Sequence, residues 1–401
     1  MGKIKWQKNN MPKTDPAKAI EFLSEGELKK VKQFHESFPA YEETPLANLS
    51  ELAKKIGLKS LHVKDESYRF GLNAFKVLGG SYAMGSYIAQ KLNVPLTELP
   101  FDKLTSKEVK DKLGDITFYT ATDGNHGRGV AWAARELNQK SVVYMPKGSS
   151  QTRLKNIQNE GAEASITDLN YDDAVRLAND DAEKSGNGVM VQDTAWEGYT
   201  DIPAWIMQGY ATMAFEAMEQ LEKEDIKRPT HVFVQAGVGS LAGAVQGYFS
   251  AKFKENPPTV VVVEADLADC LYKSAVRGDG EMEFVGGDMQ TIMAGLACGE
   301  PNIIGFDVLK NHTHTFVSSP DWVSAKAMRI LGNPLKGDDR VTSGESGAVT
   351  LGIVYEVMTN PEYKELKETL GLDENSEVLL FSTEGDTDPD KYREICWEGT
   401  F

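Results

Sequence analysis

His231-Val-Phe-Val-Gln-Ala-Gly-Val-Gly-Ser-Leu-Ala-Gly243 passes from an apolar, β-branched run through two closely spaced glycines into a helical pattern. This stretch predicts a strand at His231–Ala236, a tight turn on Gly237 and Gly239, and a helix over Leu241–Phe253. The next strand falls at Thr259–Ala265, where Val260-Val-Val-Val-Glu264 is apolar without alternation. Such a run suits a strand covered on both faces, and Val378-Leu-Leu-Phe-Ser382 reads the same way. Outward from this core, further strands are expected at Ser60–Glu66, Ile116–Thr122, Ser141–Pro146, Ala164–Asp168, Val189–Thr194, His314–Ser318 and Glu377–Ser382. Helical patterns lie between them at Gly127–Leu137, Tyr171–Lys184, Ile202–Leu221 and Ala348–Met358. Strand–helix alternation at this spacing predicts parallel βαβ units and an α/β fold.

The chain has 401 residues, long enough for two or three domains, with 41% apolar and 26% charged residues. Its formal net charge of −17 disfavours nucleic acid and anionic membrane surfaces as partners. No apolar run approaches membrane-spanning length, and the polar start, MGKIKWQKNNMPKTDP, lacks the apolar core of a secretory signal. A cytoplasmic location is therefore expected. Cys270, Cys298 and Cys396 are too few and too scattered for a disulfide scaffold or a zinc site, and no metal is expected. Whether Cys270 and Cys298 meet in space is open at this level. No internal repeat or low-complexity tract interrupts the pattern, and the acidic, lysine-rich stretches 222–228 and 362–373 read as solvated faces. Loop-rich boundaries are expected near 93–115 and 196–203.

Five segments carry chemistry, most of them at a strand end or a helix start, where open α/β sheets bind ligands. The first is Arg69-Phe-Gly-Leu-Asn-Ala-Phe-Lys76-Val-Leu-Gly-Gly80. A lysine at a helix start is usually a solvated surface residue. Here Phe75, Val77 and Leu78 flank it, which suggests an apolar pocket where a neutral amine is available for Schiff-base chemistry. The second, Thr120-Ala-Thr-Asp-Gly-Asn-His-Gly-Arg-Gly129, places an acid, an amide and an imidazole within four residues. The third is the turn Gly237-Val238-Gly239-Ser240-Leu241, whose backbone amides and helix start suit a phosphate. It lacks the Walker spacing. A dinucleotide reading would have to use Glu264 as its ribose ligand. The fourth is the turn after Val378–Ser382, with Ser382, Thr383 and Gly385. The fifth is Ser343-Gly-Glu-Ser-Gly-Ala348, a helix start with Glu345, to which no role is assigned.

Taken together and in this order, the segments resemble the tryptophan-synthase-β-like, fold-type-II family of pyridoxal-phosphate enzymes over residues 40–400. Within it they resemble the diaminopropionate ammonia-lyases. The likeness rests on Lys64-Asp-Glu-Ser-Tyr-Arg-Phe-Gly-Leu-Asn-Ala-Phe-Lys76, Thr122-Asp-Gly-Asn-His-Gly-Arg-Gly-Val-Ala-Trp-Ala-Ala134, Gln192-Asp-Thr-Ala-Trp-Glu-Gly-Tyr199, Gly295-Leu-Ala-Cys-Gly-Glu-Pro301 and Ser382-Thr-Glu-Gly-Asp-Thr387. The resemblance implies two open, twisted parallel-sheet domains. One would be a large cofactor domain, 1–79 plus 205–401, and the other a smaller mobile domain, 80–204, closing over substrate, with Lys76 near the junction. It implies a homodimer, and pyridoxal 5'-phosphate carried on Lys76. Asn125 would bond the phenolic oxygen, the backbone of Gly237–Leu241 the phosphate, and Ser382 or Thr383 the ring nitrogen. A hydroxyl at the ring nitrogen does not force its protonation, which favours direct loss of a β-substituent.

The implied reaction is α,β-elimination from a small amino acid, D- or L-2,3-diaminopropionate, to pyruvate and two ammonia. Asp123 departs from the Ser or Thr that related dehydratases and racemases tend to carry before Gly-Asn. A carboxylate there suits a substrate with a second ammonium, or a base on the face opposite Lys76; an ordinary helix N-cap is the plain alternative. Asp193 is the second candidate carboxylate, a partner for the distal amine or for Asp123, whose proximity would raise one pKa. Trp196, Tyr199 and His126 are candidates for the pocket lining. A serine or threonine dehydratase, a racemase on the same fold, and a non-catalytic binding or regulatory protein are the competing readings.

Overall fold

The computed structural model describes residues 2–401, which divide into two compact units. The first comprises residues 2–25, 43–68 and 213–401, and the second residues 26–42 and 69–212.

The first unit is built on a seven-stranded sheet. Its strands are β1 (Lys5–Lys8), β2 (Leu46–Asn48), β3 (Ser60–Asp65), β8 (His231–Gln235), β9 (Thr259–Ala265), β10 (Thr315–Ser319) and β11 (Glu377–Ser382), in the order β1-β10-β9-β8-β11-β3-β2. The inner five are mutually parallel. Every residue of β8 and β10 is buried, because helices cover both faces. On one face a single apolar cluster joins Val63, Phe233, Val261, Val263 and Leu380 to Val323 and Met328 of helix Asp321–Gly332 and to Val349 and Ile353 of helix Glu345–Thr359.

The sheet is mixed rather than purely parallel. β1 pairs antiparallel with β10, and β2 antiparallel with β3. Neither strand shows in the residue pattern, since both are short edge strands of three or four residues, and Lys5 and Lys8 of β1 are exposed.

In the second unit, β4 (Thr117–Ala121), β5 (Lys140–Met145), β6 (Glu163–Ile166) and β7 (Gly188–Met190) form a parallel sheet in the order β6-β5-β4-β7. Strand alternation sorts its side chains between two cores. Tyr119 and Ala121 pack on Ala174, Ala178 and Ala182 of helix Tyr171–Lys184. On the opposite face Val143 and Met145 pack on Ala131 of helix Asn125–Glu136 and Ile157 of helix Gln151–Asn159. The chain leaves β4 towards β5 and β6, then returns to β7 on the other side of β4. The topological switch point therefore lies between the carboxyl ends of β4 and β7.

The division of the chain differs from the expected 80–204 segment at both ends. A cut at 79/80 would fall inside helix Val77–Leu92, and helix Asp201–Tyr210 packs on that helix at close range. A Cβ on Gly209 would lie 2.3 Å from the Leu78 carbonyl oxygen, and one on Gly79 would lie 2.5 Å from the Tyr210 ring. Backbone approach this tight keeps 69–79 and 205–212 in the second unit. The expected single helix over 202–221 is two, Asp201–Tyr210 and Thr212–Lys223, and the boundary between the units follows Thr212.

Candidate active site

In the second unit, the switch point gathers four of the candidate residues. Lys76 stands immediately before helix Val77–Leu92. Its position is set by Gly129, where a Cβ would come within 2.7 Å of the Val77 amide nitrogen and 3.1 Å of the Lys76 carbonyl carbon. The pocket is not purely apolar. Lys76 Nζ donates a hydrogen bond to Asp193 Oδ2 in a salt bridge whose partners are 20% and 6% exposed. The ammonium also lies 5.4 Å from the Phe75 ring centre and 5.6 Å from that of Tyr210, within cation–π range.

Asp193 follows β7 and is held by its neighbours. Tyr210 donates its hydroxyl to Oδ2 at 3.3 Å. Gln192, buried, reaches across to the end of β4, where its Oε1 accepts from the Thr120 hydroxyl at 2.8 Å and from the Ala121 amide at 3.1 Å. The Gln192 amide nitrogen donates to Tyr199 Oη at 2.8 Å, and that hydroxyl donates to the Met190 carbonyl at 3.1 Å. Burial works against the Asp193 charge, yet the Lys76 ammonium and the Tyr210 hydroxyl outweigh it and hold the carboxyl well below its ordinary range. The neighbour that sets this carboxylate is therefore Lys76, and its pKa moves down rather than up.

Asp123, Asn125 and His126 occupy the turn from β4 into helix Asn125–Glu136, which leaves the switch point. Gly124, one residue after Asp123, is the N-cap residue of that helix. The Asp123 carboxylate lies 4.0 Å from Arg153. The amide of Gly124 donates to the Thr122 hydroxyl at 2.9 Å, which fixes the turn. His126 is buried against β7, with Nε2 at 2.8 Å from the Val191 carbonyl oxygen. Trp196 and Tyr199 stack on each other with ring centres 4.3 Å apart.

In the first unit, adjacent parallel strands β8 and β11 end side by side. Gln235 Nε2 donates to the Phe381 carbonyl at 3.0 Å and to the Thr383 hydroxyl at 2.7 Å. Thr383 thus accepts, and keeps its own hydroxyl proton to give. Ser382 donates to Ser343 Oγ at 2.8 Å. Between β8 and helix Ser240–Phe253, Gly239 adopts φ +99°, a left-handed conformation that favours glycine, and no side chain caps the helix. Asn302 braces this turn from behind: its amide donates to the Val238 carbonyl at 2.7 Å and its side chain to Ser240 Oγ at 2.8 Å. Gly305 approaches closely too, since a Cβ there would stand 2.7 Å from the Gly239 carbonyl oxygen. Glu345 is buried at the start of helix Glu345–Thr359, and its carbonyl accepts from Ser324 Oγ.

The dinucleotide alternative loses its ribose ligand. Glu264 is fully buried and accepts from the amides of Leu271 and Tyr272 at 2.8 and 2.6 Å, at the start of helix Cys270–Arg277. Cys270, Cys298 and Cys396 are thiols, and none forms a disulfide.

A family model described as pyridoxal-phosphate dependent enzyme matches residues 38–369. The chain belongs to that family. A diaminopropionate ammonia-lyase of Salmonella typhimurium is 54% identical over 398 residues, covering 99% of this chain and 98% of the relative. The crystal structure of the Escherichia coli diaminopropionate ammonia lyase in complex with D-serine superposes with a TM-score of 0.91 at 48% identity, covering 99% of this chain and 98% of that one. The same enzyme with an aminoacrylate-PLP azomethine reaction intermediate gives 0.89 at 48% identity, with 99% and 98% covered. Within the pyridoxal-phosphate dependent enzymes, the chain thus groups with the diaminopropionate ammonia-lyases.

The residues present fit the family's cofactor. The uncapped start of helix Ser240–Phe253, entered through glycines on which side chains would crowd the turn, offers backbone amides to a phosphate. Gln235 Oε1 is buried with no hydrogen-bond partner, beside a threonine hydroxyl with a proton to give. Sequence reasoning missed Gln192, Tyr210 and Asn302. The one signal for Tyr210 was Gly209 beside it, since a glycine inside a helix usually marks close packing. A buried amide that braces a loop from elsewhere in the chain leaves no local trace.

Proposed function

We propose that the chain eliminates the β-ammonium of D- and L-2,3-diaminopropionate and yields pyruvate and two ammonia. The observation that carries this reading is the Asp193–Lys76 pair: a buried carboxylate at the switch point already binds an ammonium. The names of its full-length relatives agree with that chemistry. A diammonium substrate supplies a cation for such a carboxylate after its α-amine has reacted. A hydroxy amino acid does not.

Pyridoxal phosphate joined to the α-amine of an amino acid draws electrons from Cα, which acidifies the Cα proton and lets a β-substituent leave with its bonding pair. The backbone amides of Gly237, Val238, Gly239, Ser240 and Leu241 would hold its phosphate, Lys76 would carry it covalently, and Asn125 would bond its phenolic oxygen. The ring nitrogen would accept from Thr383, which keeps its proton, or from Ser382. Lys76 Nζ, once displaced, takes the Cα proton of one enantiomer, and an Asp123 carboxylate oxygen takes that of the other. Asp193 keeps the β-nitrogen protonated, so that it departs as neutral ammonia. The unsaturated amine that remains hydrolyses in water to pyruvate and the second ammonia. A cytoplasmic homodimer completes this reading.

The deciding experiment measures pyruvate and ammonia from D- and L-2,3-diaminopropionate, with L-serine and L-threonine as comparisons. Two ammonia per pyruvate from diaminopropionate, with slower release from serine and threonine, is the expected result. Faster turnover of the hydroxy amino acids would replace this reading with a dehydratase.

A further inference from the structure

The His126 ring is 4% exposed, and its hydrogen is fixed in place. Nε2 lies 2.8 Å from the Val191 carbonyl oxygen, which can only accept, so Nε2 carries the hydrogen and Nδ1 presents a bare lone pair. That lone pair is buried with no hydrogen-bond partner, and it lies 4.0 Å from Asp193 Oδ2. Burial keeps the ring neutral against the pull of Asp193. Two acceptors at this separation do not bond each other. They frame a gap for a donor with at least two hydrogens, since bonds of about 2.9 Å from one nitrogen reach acceptors roughly 4 to 5 Å apart.

We propose that His126 Nδ1 and Asp193 Oδ2 form a paired acceptor for the β-ammonium of the substrate, and that the pair selects an ammonium over a hydroxyl. The inference rests on the diaminopropionate reading above and adds a residue to it. Lys76 Nζ sits on Asp193 without reaching His126 Nδ1, whereas an ammonium placed between the two atoms can donate to both at once. A hydroxyl has one hydrogen, so it satisfies one acceptor and leaves the other buried and unmet, which is how a polar site rejects an analogue. No proton passes to His126, and the β-nitrogen keeps its three hydrogens as the carbon–nitrogen bond breaks.

Two variants separate this role from a packing role. His126→Gln can keep the bond to Val191 and loses the acceptor at the Nδ1 position. His126→Asn keeps an acceptor there and loses the bond to Val191. In the holoenzyme, His126→Gln should lower kcat/KM for diaminopropionate roughly 10- to 100-fold, mainly through KM, the range expected for a hydrogen bond to a charged group. The inhibition constant of D-serine against the same reaction should hardly move, and His126→Asn should recover part of the loss. In the wild-type protein, a nitrogen-15 spectrum of the imidazole should show Nε2 protonated and Nδ1 bare. Equal losses for diaminopropionate and D-serine in His126→Gln, or a protonated Nδ1, would overturn the paired acceptor while leaving the elimination reading intact. Failure of the wild-type enzyme to release ammonia from diaminopropionate would overturn both.

Discussion

At the residue scale, Asp123 and Asp193 stand in different surroundings, and the separate tasks proposed for them follow from that difference. The Asp193 side chain is 6% exposed and held as a carboxylate by Lys76, which suits the proposed role of a fixed counter-charge. Asp123 is more open, its side chain 35% exposed. That exposure suits the proton-carrying role proposed for it. Asp123→Asn should therefore reduce the rate on one enantiomer of diaminopropionate about 100-fold or more, the usual worth of a positioned base, and spare the other enantiomer. Initial rates on the pure enantiomers decide it: equal losses on both would remove Asp123 as a face-specific base. Lys76, Asp123, Asn125 and Asp193 stand out as candidates in the sequence because each lies in a motif at a strand end or helix start. The charge state of Asp193 was not, because the lysine that sets it is over a hundred positions away along the chain.

At the element scale, helix Val77–Leu92 is clasped by two others through glycines. Gly129 of helix Asn125–Glu136 meets the backbone at Lys76–Val77, and Gly209 of helix Asp201–Tyr210 meets Leu78. These contacts aim Lys76 more firmly than its own rotamer preferences could. Gly209→Ala would place a methyl 2.3 Å from the Leu78 carbonyl oxygen, a backbone atom that cannot swing aside. The expected cost is about 1–3 kcal/mol, seen as a Tm lower by several degrees and a weaker hold on the cofactor. Gly26→Ala is the control: a Cβ there meets nothing within 4 Å in helix Glu25–Glu36, so alanine should leave Tm unchanged or raise it. An unaltered Tm in Gly209→Ala would refute the close approach. The strands that read clearly, β8, β9 and β11, are those buried on both faces, where composition alone carries the signal. The edge strands β1 and β2 owe their extended form to the neighbour they pair with.

At the scale of the whole molecule, both units carry residues proposed above for the cofactor and the reaction: the glycine turn and the Ser382–Thr383 hydroxyls in the first, Lys76, Asp123 and Asp193 in the second. None of these arrangements survives unfolding, so the cofactor binds the native chain alone and stabilises it. Stripping pyridoxal phosphate should lower Tm, and restoring it at a hundred times its Kd should return about 2.7 kcal/mol. Identical melting with and without the cofactor would contradict the assignment of these residues to it. The sequence by itself determined the α/β class, the parallel cores, the family, and the residues at the strand ends, because those depend on periodicity and on short motifs. Only the tertiary structure decided where the units divide, that both edges of the larger sheet run antiparallel, and that Lys76 lies on Asp193. It also decided that Glu264 is a helix-terminal carboxylate and that His126 turns a bare nitrogen towards Asp193. Each of these depends on groups far apart in the chain meeting at distances of a few ångströms, and no local pattern of residues encodes such a meeting.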